Sequence, residues 1–481
     1  MPSSDTKATF SFVTLGCPKN LVDSETMLGK LAVDGYTLQT SPEGSDVVVI
    51  NTCGFIEDSR RESLGVIREM LDLKRAGKVK AVVVAGCLAE RKHEDLLQEV
   101  PDVDHIVGVF GRDEIVRVVD NVLARAEPAS GNGSKGPLRS KRTALATVAP
   151  KADLAAEQRA LFRPAPVKAQ NDQMRLRITP RHYAYLKISE GCDRLCTFCA
   201  IPKMRGKHVS KPIDMVLAEA RELVADGVRE LILVAQDTTY YGLDLYGEPR
   251  LAELLRELDR LDGLDWIRIL YVYPMYLTDE LLTTLGAAKK IIPYLDMPLQ
   301  HINDTMLRRM ARRVTRAETE TILARLRQAM SGLVLRTTFI VGFPGETEDH
   351  FAELCEFVQD QKFERVGVFT YSLEPDTPAE RLEDQIPEEI KQDRRGRLMA
   401  LQQPIAFAWN AAQVGREMDV IIDAADPEMP GWFVGRGHAD APDIDGVVRV
   451  KGKNLAPGDI ARVKITAAED YDLLGKVIKT R

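Results

Sequence analysis

The chain has 481 residues, 44% of them hydrophobic, and a formal net charge of −7. That length predicts two to four domains. No apolar run approaches the roughly 18 residues that cross a bilayer, and the first residues lack the charged start and long apolar core of a secretory signal, so a cytoplasmic protein with no membrane attachment is expected. The negative balance argues against a nucleic-acid binder that uses its whole surface, and seven cysteines in a reducing compartment favour metal or catalytic use over disulfides.

Three short apolar runs at 10–15, 47–50 and 81–85 read as buried strands. Helical patterns follow at 21–32, 57–73 and 89–99. This alternation predicts a doubly wound parallel α/β domain over 8–125. Cys17, Cys53 and Cys87 each end one of the runs, with a glycine beside each. Ligands of such sheets bind outside the carboxyl ends of the strands, so the three thiols can converge as a cluster site. The plainer alternative is three unrelated buried cysteines, which leaves their shared topological position unexplained.

Residues 126–180 read as a basic, flexible linker rich in Ala, Pro, Gly, Ser and Lys. Over 127–180 ten Lys and Arg face four Asp and Glu. A solvated surface accounts for them, and no function is assigned.

From 181 to 412 strands are expected at 184–188, 230–234, 266–272, 292–297, 335–341 and 366–371. Helices are expected at 215–225, 251–261, 279–285, 304–330 and 348–361. Six β/α units predict an open or partial (β/α)6 barrel with its active site at the carboxyl ends of the strands. The loop after the first strand reads GCDRLCTFCAIPKMRG, placing Cys192, Cys196 and Cys199 in a C-x3-C-x2-C run. Three thiolates hold three irons of a 4Fe-4S cube, whereas full protein ligation takes four. The fourth iron is then open to a small molecule. Structural zinc usually closes with four ligands in paired spacings, and His208, nine residues on, suits no common finger pattern.

The run resembles the signature of radical S-adenosylmethionine (SAM) enzymes. There the amino and carboxylate groups of SAM fill the open iron, and an electron from the cube splits SAM into methionine and a 5′-deoxyadenosyl radical. Cys192, Cys196 and Cys199 are the catalytic candidates, with no separate acid or base. Polar groups after the other strands face the same end, among them Thr238, Tyr273, His301 and the run GFPGE at 342–346. Gln236, Asp237, Gln300, Thr338 and Gly342 are the candidates for cofactor binding. Each alone is ordinary loop polarity; the ring around the cluster loop gives the set its weight. Cys355, in the helical pattern FAELCEFVQD, reads as a core residue.

A long helix with Lys391, Arg394, Arg395 and Arg397 is expected over 386–412, followed by strands at 417–423, 431–436, 445–450 and 459–466. A small β-barrel of about 65 residues fits the segment 413–481. Its ten Lys and Arg against twelve Asp and Glu suit a basic protein partner better than RNA.

The whole chain resembles the methylthiotransferases, and within them the RimO type. The segments that carry this are TLGCPKNLVDSE, INTCGFI, VAGCLAER, ISEGCDRLCTFCAIPKMRG, YLDMPLQHINDTMLRRMARR, VGFPGETE and DAPDIDGVVRV. Cys-Pro-Lys-Asn at Cys17 and the PKMRG run separate it from the tRNA-modifying MiaB type, which tends to carry Gln-Met-Asn and Pro-Tyr-Thr-Arg-Gly there. The resemblance implies a C-terminal TRAM barrel and two 4Fe-4S clusters, one on Cys192, Cys196 and Cys199 and an auxiliary one on Cys17, Cys53 and Cys87. It implies that a β-carbon hydrogen of one aspartate in ribosomal protein S-twelve is replaced by a methylthio group. Two SAM are used per cycle, and sulfur bound at the auxiliary cluster is transferred. It further implies docking of S-twelve through the TRAM domain, an electron donor protein, a sulfur donor and a monomer. The rival within the chemistry is methylthiolation of a tRNA adenosine; the rival outside it is a non-catalytic ribosome assembly factor.

Overall fold

The computed structural model describes residues 7–126, 165, 166 and 168–480, so most of the expected linker lies outside the described residues. Two compact units are present. Of the described residues, the first comprises 7–126, 165, 166, Met174–Arg177 and Lys203–Gly206; the second comprises Lys168–Gln173, Ile178–Pro202 and 207–480.

The first unit is built on a parallel sheet of β1 (Thr9–Thr14), β2 (Thr37–Leu38), β3 (Val47–Thr52), β4 (Ala81–Gly86) and β5 (His105–Val107), in the order β2-β1-β3-β4-β5. β3 and β4 are buried along their whole length, as continuous Val and Ile runs require when helices cover both faces. Val47, Val49, Val83 and Phe10 meet helices Pro18–Val33 and Ile115–Ala126 on one face. Val48, Ile50 and Val84 meet helix Glu57–Arg75 on the other. Two expectations change. The helix expected over 89–99 is two short ones, Cys87–Lys92 and Glu94–Glu99, broken at His93 with φ 47°. Helix Ile115–Ala126 lies at the end of the expected domain and was not anticipated, although Ile115, Val118, Val119 and Val122 form a buried stripe at helical spacing.

In the second unit β6 (Tyr183–Lys187), β9 (Glu230–Val234), β10 (Trp266–Ile269), β11 (Ile291–Asp296), β12 (Val334–Val341) and β13 (Arg365–Thr370) form an all-parallel open sheet, with β7 (Ser189–Glu190) and β8 (Val209–Ser210) as a separate ribbon. The order β13-β12-β11-β10-β9-β6 places β6 and β13 at the two edges. Along β12, Leu335, Phe339 and Val341 pack into the helical layer, while Arg336, Thr338 and Ile340 are half-buried on the opposite face. The helix expected over 304–330 is interrupted. Asp304–Arg309 and Arg316–Ala329 are separated by a turn containing Ala311 at φ 53°. The second helix restarts on a capping box of Thr315 and Glu318. The end of the expected linker is held in place: Asp172 is buried and its carboxylate accepts from Lys211 Nζ at 2.7 Å.

After helix Glu388–Ala411, β14 (Glu417–Ala425), β15 (Trp432–Arg436), β16 (Val448–Lys451), β17 (Ile460–Glu469) and β18 (Asp472–Thr480) close into a barrel, in the order β14-β15-β16-β18-β17. β18 was not among the expected strands, yet it supplies the closure by pairing with both β16 and β17. The strand expected at 445–450 begins three residues late because Asp445 is engaged elsewhere: its carboxylate accepts from Tyr294 Oη at 2.7 Å and from Ala441 N–H at 2.9 Å. The barrel docks on the parallel sheet through buried charge. Glu230 accepts from Arg268 Nε at 2.8 Å and Arg436 Nη1 at 2.5 Å, and Arg365 pairs with Asp440 at 3.1 Å. Asp423, Asp426, Asp440 and Asp445 are all paired within the unit. The acidic count of this segment is therefore not a measure of its exposed charge. Among the described residues no helix is long and apolar enough to cross a membrane.

Candidate cluster and cofactor sites

In the first unit all three cysteines stand at the carboxyl ends of neighbouring strands. Cys17 precedes helix Pro18–Val33 after β1, Cys53 follows β3, and Cys87 opens helix Cys87–Lys92 directly after β4. The parallel register sets Thr14 against Asn51 and Thr52 against Gly86, which brings the three loops level. A Cβ placed on Gly16 would lie 3.2 Å from Cys53 Sγ. Cys53 feels the charge of Cys17, and Cys87 feels both. Burial raises the Cys53 thiol and pushes Cys87 up to about 12. Cys17 goes the other way: burial opposes its ionisation, but Lys19, Arg205 and two backbone N–H groups at the helix start outweigh it. Asn20 ties the loops together. Its Oδ1 accepts from Cys87 Sγ at 3.5 Å and from Arg205 Nη2 at 2.6 Å, while its Nδ2 donates to the carbonyls of Leu15 and Thr52 at 2.9 Å. Arg205 also pairs with Asp23 at 3.0 Å.

Gly86 sits at φ 93°, ψ −154°, a region that only glycine adopts without strain. A Cβ there would stand 2.1 Å from Asn51 Oδ1. Gly86→Ala is expected to cost about 1–3 kcal/mol from the backbone alone and to displace Cys87. Denaturant unfolding and iron content after reconstitution check this; an alanine variant with unchanged stability and iron would sink it.

In the second unit the C-x3-C-x2-C loop follows β6 and β7. Cys192 and Cys196 are buried and Cys199 is half-buried. Arg194 N–H points to Cys192 Sγ at 3.3 Å, and Cys199 N–H donates to the Cys196 carbonyl at 3.1 Å. Burial pushes the Cys192 and Cys199 thiols up to about 12, and each senses the charge of Cys196. Beneath the loop Lys187 Nζ donates to Glu190 at 3.0 Å, and Lys211 bridges Asp172 and Glu219. These buried pairs fix the residues that lead into Cys192.

Among the described residues no three His, Cys, Asp or Glu side chains are arranged to grip a single metal ion. A cube takes each thiolate on a different iron, a wider arrangement. An all-sulfur donor set on a tight loop suits that soft centre. Buried polar atoms without partners also gather at this end of the sheet, including Gln236 Nε2, Arg194 Nη2 and Arg312 Nε. Such orphans fit a polar ligand bound there.

The remaining candidates differ in what holds them. Asp237 is buried and already engaged: it accepts from Arg194 Nε at 2.6 Å, Thr239 Oγ1 at 2.7 Å and Tyr240 N–H at 3.2 Å. Gln236 Nε2 has no hydrogen-bond partner among the described residues. Gln300, at φ 76°, is stitched to β12 by its backbone, donating to the Thr338 carbonyl and accepting from Ile340 N–H, both at 2.8 Å. Thr338 lies on the half-buried face of that strand. Gly342 has a packing reason of its own, because a Cβ would fall 2.3 Å from Lys391 Cγ. Glu346 closes the same turn by accepting the Gly342 and Phe343 N–H groups; burial pushes its carboxyl up to about 7 against the pull of Arg394. Cys355 sits in helix Glu348–Gln361 against the main core. Sequence reasoning missed Arg194, Arg205 and Arg312, which stand beside the thiols. The signal was the presence of arginine within or next to each motif.

Three family models match the chain: the uncharacterized protein family UPF0004 over residues 9–108, the radical SAM superfamily over 186–358 and the TRAM domain over 414–478. A protein of Desulforamulus reducens is 43% identical over 97% of this chain and 98% of its own length. One of Geobacter sulfurreducens is 41% identical over 99% and 100%. Both are named ribosomal protein uS12 methylthiotransferase RimO. Among solved structures, the radical SAM methyltransferase TsrM of Kitasatospora setae, with cobalamin and a [4Fe-4S] cluster bound, covers 89% of this chain and 77% of its own at TM-score 0.52 and 14% identity. That is a likeness of fold alone.

Proposed function

Because this chain belongs to the RimO family of radical SAM methylthiotransferases, we propose that it replaces a β-carbon hydrogen of one aspartate in ribosomal protein uS12 with a methylthio group. The observation that carries this is identity above 40% along nearly the whole length of proteins named for that activity. Two SAM are used per cycle, one for the methyl group and one for hydrogen removal. The transferred sulfur comes from the site of Cys17, Cys53 and Cys87. With SAM bound, the cube on Cys192, Cys196 and Cys199 supplies the one-electron chemistry that an unactivated carbon requires, since no acidic proton is available to a general base.

The chain's own residues bind and orient. Gln236 presents a buried amide N–H without a partner among the described residues, suited to the acceptor groups of SAM. Asp237 is locked by Arg194 and Thr239 and cannot swing away when ligand enters. Gln300 and Thr338 line the adjoining strands. Together they would hold SAM in one orientation beside the cysteine loop; bringing reacting carbons within roughly 3–3.5 Å is where most of the benefit of positioning lies. uS12 docks through the exposed face of the C-terminal barrel, and separate donors deliver electrons and sulfur.

The test offers two substrates to enzyme reconstituted without oxygen, with SAM, sulfide and a reductant: purified uS12 and unmodified tRNA. The expected result is a mass gain of one methylthio group replacing one hydrogen on an aspartate peptide of uS12, with tRNA unchanged. The same gain on a tRNA adenosine, with uS12 unchanged, would overturn the substrate and leave the chemistry standing.

A further inference from the structure

On the reading that uS12 is the substrate, we propose that the inner face of the edge strand β13, with Gly367 as its floor and Phe369 as its wall, seats the stretch of uS12 that carries the target aspartate. Gly367 has no internal reason to be glycine. β13 pairs with β12 from Arg365 to Thr370 without a register shift, and the backbone at Gly367 does not take a positive φ. A Cβ there would meet nothing nearer than 3.6 Å, an ordinary contact. Neither conformation nor packing therefore excludes a side chain. Glycine weakens a strand interior, and it often marks a place where a ligand or another backbone approaches closely.

Phe369 borders that floor and is 54% exposed, more than any other phenylalanine among the described residues. Val366 and Val368 pack into the helical layer, so Gly367 and Phe369 face the opposite, inner side of the sheet. Their partners in register are Thr338 and Ile340, both half-buried on that same face. The atoms nearest a Cβ at Gly367 would be Phe369 Cε2 at 3.6 Å, Thr338 Oγ1 at 3.7 Å and Arg336 Nη2 at 3.8 Å. A ring, a hydroxyl and a guanidinium thus surround one open spot. Arg336 is paired with Asp296 at 2.7 Å, so the floor offers no unpaired charge to an anion.

A glycine floor beside an exposed aromatic ring suits main chain flanked by small or apolar side chains, with the ring as the anchor. The segment does not join the sheet as a further strand. Helix Glu388–Ala411 flanks β13, and its Arg395 Nε already donates to the Val368 carbonyl at 3.3 Å, a group that strand addition would need. Contact is then made on the inner face, with the aspartate directed to the carboxyl end of the sheet, where the cysteine loop and Gly342 lie. The relatives named for acting on uS12 supply the polypeptide. Phe369 and Gly367 decide which chain is accepted and take no part in the chemistry. SAM, a charged small molecule, is the rival occupant of the same floor.

Initial rates of methylthio incorporation by the reconstituted full-length enzyme separate the two, with uS12 varied at saturating SAM and SAM varied at saturating uS12. Phe369→Ala is expected to raise KM for uS12 about tenfold, the scale of one apolar side chain lost from a contact, while KM for SAM holds. Phe369→Leu is expected to recover most of that loss. Gly367→Ala is expected to raise KM for uS12 while the melting temperature stays at or above the parent's, since alanine lowers the entropy of the unfolded chain. A purely structural glycine would show the opposite pair of effects. Leu245→Ala, which removes an exposed apolar side chain elsewhere, is expected to change neither constant. An unchanged KM for uS12 in Phe369→Ala overturns the proposal. A rise in KM for SAM alone also overturns it, in favour of SAM. If Phe369→Ala takes up no iron, Gly367→Ala decides: a raised KM for uS12 upholds the proposal and a parental one overturns it. A parent that leaves uS12 unmodified refutes the substrate reading itself, and the proposal falls with it.

Discussion

Alanine at Cys192, Cys196 or Cys199 is expected to abolish SAM cleavage, whereas alanine at Cys17, Cys53 or Cys87 leaves cleavage running and stops sulfur insertion. The two trios lie in separate compact units, each at the carboxyl end of its own parallel sheet. On the proposed assignment of a cube to each trio, removing one thiolate from either leaves two ligands on a cluster that usually has three or four. In the second unit the loss falls on the electron source, so 5′-deoxyadenosine formation should drop at least about 10³-fold, roughly 4 kcal/mol of barrier. In the first unit it falls on sulfur supply, and 5′-deoxyadenosine should form without a methylthio product. Chromatography of the nucleoside, peptide masses of uS12 and iron content give three independent readings. Each variant is expected to lose about half the iron, in keeping with two similar clusters. Cys355→Ala is the control: this cysteine packs against the core and its change should leave iron intact. If Cys53→Ala eliminated 5′-deoxyadenosine as completely as Cys192→Ala does, the division of labour between the trios would be wrong.

The sequence carried the cysteines and the strands because both are local signals. A fully buried parallel strand is a run of apolar residues, and Val47–Thr52 and Ala81–Gly86 show it. A loop at the carboxyl end of such a strand can be located by counting. Partners that arise only through tertiary contact were illegible. Asp445 looked like the start of a strand, but its carboxylate belongs to Tyr294, 151 residues away. Arg312 looked like the middle of one long helix because the apolar spacing continues on both sides of the break; the turn at Ala311 is stabilised by the cysteine loop it meets. β18 alternates weakly, with Leu473 and Gly475 inward and Lys476 outward, and closure of the barrel rather than its own pattern holds it as a strand. The surface charge of the C-terminal segment is illegible from its acidic balance for the same reason: charge totals do not distinguish Asp440, paired with Arg365 in the interior, from a carboxylate in water.

Glu230→Gln is expected to cost about 3–5 kcal/mol, the usual effect of removing one partner from a buried ion pair. Glu230 is fully buried at the start of β9 and accepts from Arg268 and Arg436. Arg436 also donates to Asp423, whose other bond is to His182 Nε2 at 2.6 Å, and Arg268 also donates to the carbonyls of His438 and Gly437. One carboxylate therefore holds both sides of the junction between parallel sheet and barrel, and its loss strips Arg268 of its carboxylate and leaves Arg436 with Asp423 alone. Against a typical domain stability of about 5–15 kcal/mol, that is enough to let the barrel detach before the sheet unfolds. Thermal or denaturant unfolding should split into two transitions, and protease should gain access near residues 412–416. Glu57→Gln removes an exposed surface pair with Arg61 and should change stability by less than about 1 kcal/mol. Replacing Glu230, Arg268 and Arg436 together by apolar residues should recover much of the loss, because the penalty comes from the uncompensated charge and not from the absence of the pair. The pH dependence has a definite sign. Burial opposes ionisation of Glu230, but Arg436 and Arg268 outweigh it and hold the carboxyl below its ordinary value of 4.5. Its contribution is thus complete above that value and is lost as pH falls through the depressed one. The parent should show this acid-dependent loosening of the barrel and Glu230→Gln should not. A glutamine variant that unfolds in one transition at the parent's midpoint would show that apolar contact alone secures the barrel.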